Sequence, residues 1–170
     1  MIRPAERRDR AAIVRLLDSA FAPSTFESRL YELVAEGVDQ SFEWVAESES
    51  EIVGYIMYTE ATTGTEAVGL HLAPVAVHAD FQGQGIGSAL IRTTLEEEPL
   101  RTRAIFVLGE PRYYERFGFT PVSSARCPYD EGNAHFRALR WSEIPDEFPI
   151  GYIDAFTQAE EEITADPQDI

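Results

Sequence analysis

The chain has 170 residues, with 30 acidic against 14 basic side chains and a formal net charge of −16. Every base is arginine, so there is neither a P-loop lysine nor a Schiff-base lysine, and the net charge lacks the basic footprint that wrapping nucleic acid or docking on an anionic membrane requires. With 44% hydrophobic residues, a single cysteine (Cys127) and no apolar run approaching roughly 20 residues, the sequence predicts a sizeable core, no intrachain disulfide and no membrane span.

Met1-Ile2-Arg3-Pro4 carries no apolar signal core, and a soluble, cytoplasmic chain is expected. Residues 1–4 read as a short strand. A helix follows, with Asp9 as its cap and Ile13, Leu16, Leu17 and Ala20 at helical spacing. Ala22-Pro23 breaks it. Ser24-x-x-Glu27 has the form of a capping box, in which the serine accepts the N3 amide and the glutamate reaches back. The second helix carries Phe26, Leu30, Leu33 and Val34 and stops at Gly37. The period then changes to two: residues 42–47 and 52–60 flank a polar turn and predict a hairpin. Another turn at Gly64 leads into a strand over 68–77, where Pro74 predicts a bulge or a splay because it cannot donate to a ladder.

Beyond that strand come a glycine loop over 82–87, a helix over 88–98, a short buried strand over 104–108 and a short helix over 111–117 closed by Gly118. Strands over 119–122 and 135–141 complete the pattern. The prediction is an α/β fold with a mixed central sheet: antiparallel N-terminal strands, a splayed parallel pair in the middle and helices on both faces. One domain over 1–156 and a flexible acidic tail over 157–170 are expected. His71, His78, His135 and Cys127 show no metal-ligand spacing, and no metal is predicted.

The stretch Gln82-Gly83-Gln84-Gly85-Ile86-Gly87-Ser88 leaves a strand and enters a helix. The first amides of a helix lack intrahelical partners and sit at the positive end of its dipole, so the loop predicts an anion site. The glycine spacing is G-x-G-x-G, not the G-x-G-x-x-G of dinucleotide folds, which disfavours a Rossmann domain.

Gln82-x-x-Gly85-x-Gly87 after an apolar strand resembles motif A of the GCN5-related N-acetyltransferases, and Tyr114-Glu115-Arg116-Phe117-Gly118-Phe119 resembles their Y-x-x-x-G-F segment. Element order and motif separation agree over residues 1 to about 141. Residues 108–114 and 126–129 resemble a subgroup of small acetyltransferases without assigned acceptors. The resemblance implies an enzyme that transfers acetyl from acetyl-CoA to a primary amine of a small molecule or peptide, as a monomer or homodimer. It implies that the backbone of Val75, Ala76 and Val77 holds the pantetheine and polarises the thioester carbonyl, while the amides from Gly83 to Ser88 hold the pyrophosphate.

By motif position Tyr114 is the acid that protonates the departing thiolate, with Tyr113 as the minor candidate. His71, Glu60 and Glu66 are the candidates for a base that neutralises the amine, His71 because it titrates near neutrality on the strand concerned. Many members carry an asparagine where this chain has Gly109-Glu110-Pro111. The alternative reading is a non-catalytic acyl-CoA-binding or regulatory domain on the same fold.

Residues 21–80 carry −10 and residues 141–170 carry −9, whereas residues 81–140 carry +1. The segment with the glycine loop is thus relieved of negative charge, and Arg112 and Arg116 within it are candidates to meet a 3′-phosphate. The acidic first block favours a cationic acceptor. The same lysine-free acidity also fits a protein adapted to high salt, where self-repulsion is screened.

Overall fold

The computed structural model describes residues 1–165. Its elements in chain order are β1 (Ile2–Pro4), α1 (Arg10–Ala20), α2 (Phe26–Glu36), β2 (Ser41–Ser48), β3 (Glu51–Thr63), β4 (Glu66–Val77), α3 (Ile86–Leu95), β5 (Ile105–Leu108), α4 (Pro111–Glu115), β6 (Thr120–Pro121), β7 (Ala125–Arg126), β8 (Phe136–Leu139), β9 (Phe148–Pro149) and α5 (Asp154–Thr164). Seven strands form one sheet in the order β1-β2-β3-β4-β5-β8-β6, antiparallel throughout except for the parallel pair β4–β5. The α/β fold class predicted from the sequence is the one observed. No helix among the described residues is long and apolar enough to cross a membrane.

Strand β3 shows why helices cover both faces. Its residues 53–59 are all buried: Tyr55 and Met57 join the cluster under α1, α2 and α5, and Ile56 and Tyr58 join the cluster under α3 and α4. A period-two strand with apolar residues on both sides has no solvent face, so it needs two layers. The hairpin between β2 and β3 turns at Glu49 and Ser50, both with positive φ, where the sequence pattern placed it.

Three details depart from expectation. Asp9 stands at the start of α1, but its carboxylate does not cap the helix. It takes two bonds from the Arg3 guanidinium (2.8 and 2.9 Å) and one from the Glu6 amide, and Arg3 also reaches Glu47. A bidentate buried arginine outcompetes a cap. At α2 the Ser24 hydroxyl accepts from the Phe26 amide and donates to Glu27 at 2.9 Å, so the glutamate grips the hydroxyl and not the backbone.

The third departure is the C-terminal segment. Residues 157–164, read as tail from their acids, continue α5. Phe156 and Ala159 are buried, Ile163 half-buried, and Glu162 pairs with Arg29 on α2. Three apolar residues at helical spacing suffice to dock an otherwise acidic helix. The last five residues of the expected tail, 166–170, lie outside the described residues.

Candidate active site

Strands β4 and β5 pair over only two residues, Leu70 with Ile105 and His71 with Phe106. Gly69 lets them meet there: a Cβ on it would lie against the Ala104 carbonyl and the Phe106 ring, and Leu70 donates to that carbonyl at 2.9 Å. Beyond His71 the strands part. β5 stays with β8, while β4 stays with β3 through a bulge in which Ala73 and Pro74 together oppose Met57. A bulge increases local twist, and Pro74 has no N–H to offer a neighbour. Among the described residues, no strand therefore covers the β5-side edge of residues 72–77. Apart from the Val77 carbonyl, which accepts from the Gln82 side chain, backbone groups of Val75, Ala76 and Val77 that do not face β3 are left without a strand partner, an edge of the kind an extended ligand can pair with.

The glycine loop continues from this edge. Gly83 and Gly85 have φ of 76° and 82°, the left-handed region, and Gly85 is the residue from which α3 starts. The first helical bond runs from Ala89 to the Gly85 carbonyl at 2.9 Å, so the amides of Ile86, Gly87 and Ser88 have no intrahelical partner. Gln82 and Gln84 brace the loop by donating to the Val77 and Asp80 carbonyls. A Cβ on Gly87 would lie 3.0 Å from the Tyr113 hydroxyl, so α3 and α4 meet closely at this point. Arg116 donates to the Ser88 hydroxyl at 3.3 Å and lies over the Tyr113 ring, 4.6 Å from its centroid. A β-branched residue at a left-handed position is strained by about 1–2 kcal/mol. Gly85→Val should therefore deform the loop; on the expectation that the loop holds the pyrophosphate of CoA, it should weaken CoA binding about tenfold by calorimetry, and an unchanged Kd would overturn that expectation.

Tyr114 sits on α4, directly after the end of β5. Its ring packs on Gly109, where a Cβ would come within 2.5 Å, and edge-on to Tyr113 and Phe119. Burial, with a lesser push from Tyr113, raises its phenol to about 12. It is protonated at neutral pH. Tyr114 lines a cavity of about 200 Å³ in the splay, together with Leu72, Ala73, Pro74, Val75 and Leu108. Tyr113 instead packs against Gly87 and Arg116.

His71 is 1% exposed. Its Nε2 is 2.9 Å from the Gly151 carbonyl, which can only accept, so this nitrogen carries the proton. Its ring stacks on Tyr152 at 3.6 Å with an angle of 4°. Burial pulls its pKa down to about 4 against the opposing bond to Gly151, and the imidazole is neutral at pH 7. Glu60 and Glu66 are exposed on β3 and β4 and border neither cavity of the splay.

The sequence reading missed two carboxylates. Glu27 borders both the small cavity beside Tyr114 and a larger one, about 470 Å³, that continues from it past His71. Glu160 of α5 borders the larger one too. Glu27 was legible only as half of a capping box, and Glu160 only as part of an acidic run.

The acetyltransferase (GNAT) domain matches residues 39–121. Over 92 residues the chain is 41% identical to the N-acetyltransferase YjhQ of Escherichia coli K12, a match that spans 52% of this chain and 48% of YjhQ, about half the length of that relative. The crystal structure of the GNAT family N-acetyltransferase YhbS from Escherichia coli in complex with CoA superposes with a TM-score of 0.81 and 25% identity, covering 92% of this chain and 91% of YhbS. A GNAT family acetyltransferase from Brucella melitensis in complex with acetyl-CoA gives 0.75 and 29%, covering 92% and 97%.

Proposed function

We propose that this chain is a GNAT acetyltransferase and, from that premise, that it transfers the acetyl group of acetyl-CoA directly to a primary amine. The observation that carries the reading is a continuous one: the open β4 edge leads into the unpaired amides of α3, and Tyr114 stands in the cavity where the strands part. The fit is chemical as well as geometric. A pantetheine arm offers amides that a strand edge can pair with, and a pyrophosphate suits helix amides in a chain without lysine.

In this reading Val75 to Val77 align the thioester and place an amide against its carbonyl, where negative charge develops. Gly85 to Ser88 hold the pyrophosphate, and Arg116 stands beside them for a further phosphate. The reaction forms an N–C bond, breaks the C–S bond and leaves the electron pair on sulfur. Tyr114 gives its proton to that sulfur and regains one afterwards. Of the two protons that the ammonium loses on becoming an amide, one balances the thiol and one goes to solvent. His71, neutral and engaged with Gly151 and Tyr152, forms cavity wall in this reading, because a base that weak draws few protons from an ammonium.

The test is CoA release from acetyl-CoA across a panel of amines, with products identified by mass spectrometry. An acetylated amine supports the proposal. Tight acetyl-CoA binding with no turnover on any acceptor would favour an acyl-CoA-binding or regulatory domain instead.

A further inference from the structure

The larger cavity differs from the small one in chemistry. Its walls are aromatic and aliphatic: Phe106, Tyr129, Tyr152, Phe156 and Ile163. Tyr152 meets Tyr129 and Phe156 at centroid distances of 5.0 and 4.9 Å, and it stacks on His71, so these rings form one connected wall. The two carboxylates, Glu27 and Glu160, are the only charged side chains among the described residues that line it, since His71 is neutral. At about 470 Å³ it falls in the range of small-molecule sites, roughly 300–1,000 Å³.

Glu27 is placed differently from Glu160. It is half-buried, fixed by the Ser24 hydroxyl at 2.9 Å, and borders the Tyr114 cavity as well as the aromatic one. Glu160 is exposed on α5 at the outer rim. A cation that enters past Glu160 thus finds its second carboxylate, Glu27, on the wall shared with the Tyr114 cavity, and the other residues lining that stretch are uncharged. Aromatic faces also attract an ammonium group directly.

We propose that the acceptor is a small hydrophobic monoamine, a primary ammonium bearing one aromatic or branched aliphatic group, with Glu27 seating its nitrogen and the Tyr129–Tyr152–Phe156 wall holding its apolar group. The proposal rests on the acetyltransferase reading and deepens it. Glu27 binds and orients the ammonium, and the proton that must leave before attack passes to solvent. The nitrogen then bonds to the acetyl carbon as the C–S bond breaks, Tyr114 protonates the sulfur, and the second proton shed by the nitrogen restores the phenol. Glu160 steers the cation from outside. An acceptor whose remainder is polar or charged would forfeit the contact with the ring wall that an apolar group makes.

The experiment compares 2-phenylethylamine, ethylamine, spermidine and a tripeptide with a free N-terminus, by CoA release and by calorimetry on the CoA-bound protein. 2-Phenylethylamine should bind, and its kcat/KM should exceed those of the other three at least tenfold. Glu27→Gln should raise its KM about tenfold with acetyl-CoA affinity unchanged, whereas Glu160→Gln should raise it two- to threefold, and less at high salt. Tyr152→Ala should lose the preference for 2-phenylethylamine over ethylamine, with Tyr152→Phe keeping it. Failure of acetyl-CoA to bind would sink the acetyltransferase reading itself. Acetyl-CoA binding together with no affinity for 2-phenylethylamine, or with turnover led by spermidine or the peptide, would overturn the acceptor proposal alone. So would an unchanged KM in Glu27→Gln.

Discussion

Tyr114→Phe is expected to lower kcat about 100-fold, the low end of what a positioned acid contributes, while acetyl-CoA affinity and folding stay as they are. The structural reason is that only the hydroxyl changes. The ring keeps its seat on Gly109 and its edge contacts with Tyr113 and Phe119. The phenol, raised to about 12, stays protonated across the physiological range, so its hydroxyl is always available to donate to the departing sulfur. The loss should therefore appear in kcat and in kcat/KM alike, as for an interaction made only in the transition state. A Tyr113→Phe control, altered at a hydroxyl that faces Gly87, should retain most of its kcat. Equal activity of wild type and Tyr114→Phe would take this residue out of the chemistry.

The second large effect concerns stability against pH. His71 has a folded pKa near 4, depressed from 6.5 by burial. Between those values the unfolded chain takes up a proton that the folded one refuses, so stability rises with pH there. The contribution is complete above pH 6.5 and is lost as pH falls towards 4, amounting to about 3 kcal/mol over that window. Urea midpoints from pH 7.5 down to 4.5 should fall more steeply for wild type than for His71→Gln, and the difference should open below pH 6.5. Carboxylates titrate in the lower part of this range in both proteins and cancel in the comparison. Parallel curves would mean that His71 protonates without cost, and that its stacked, buried seat is looser than the structure shows.

How much of this was legible beforehand differs by element. Period-two runs, turn residues and the apolar stripes of α1, α2 and α3 mark the main elements, because each signal is local. Pro74 was enough to foresee the break in β4, since a missing N–H acts wherever the strand goes. The three-glycine loop and the Tyr114 segment carry the family, and they fall on the expected elements. The helix α5 was hidden by its own composition: three apolar side chains among acids outweigh nothing locally and gain their effect from the groove against α2. The β7–β9 pairing, two residues on each side, has no sequence signal either.

The candidate site divides along the same line. Residue identities fixed the backbone part, a strand with a proline, a loop whose glycines tolerate positive φ and a helix start with unpaired amides, since these depend on φ/ψ preferences and hydrogen-bond valence alone. Composition likewise excluded a lysine-based phosphate or Schiff-base site. Which side chains face the cavities of the splay was decided by tertiary structure. His71 and Glu27 are 44 positions apart, and the fold puts both on one cavity. There it buries the histidine until it no longer titrates near neutrality, and turns half of a helix cap into a carboxylate on the wall of the Tyr114 cavity. Burial and proximity between distant segments set those properties, and neither is written in local sequence.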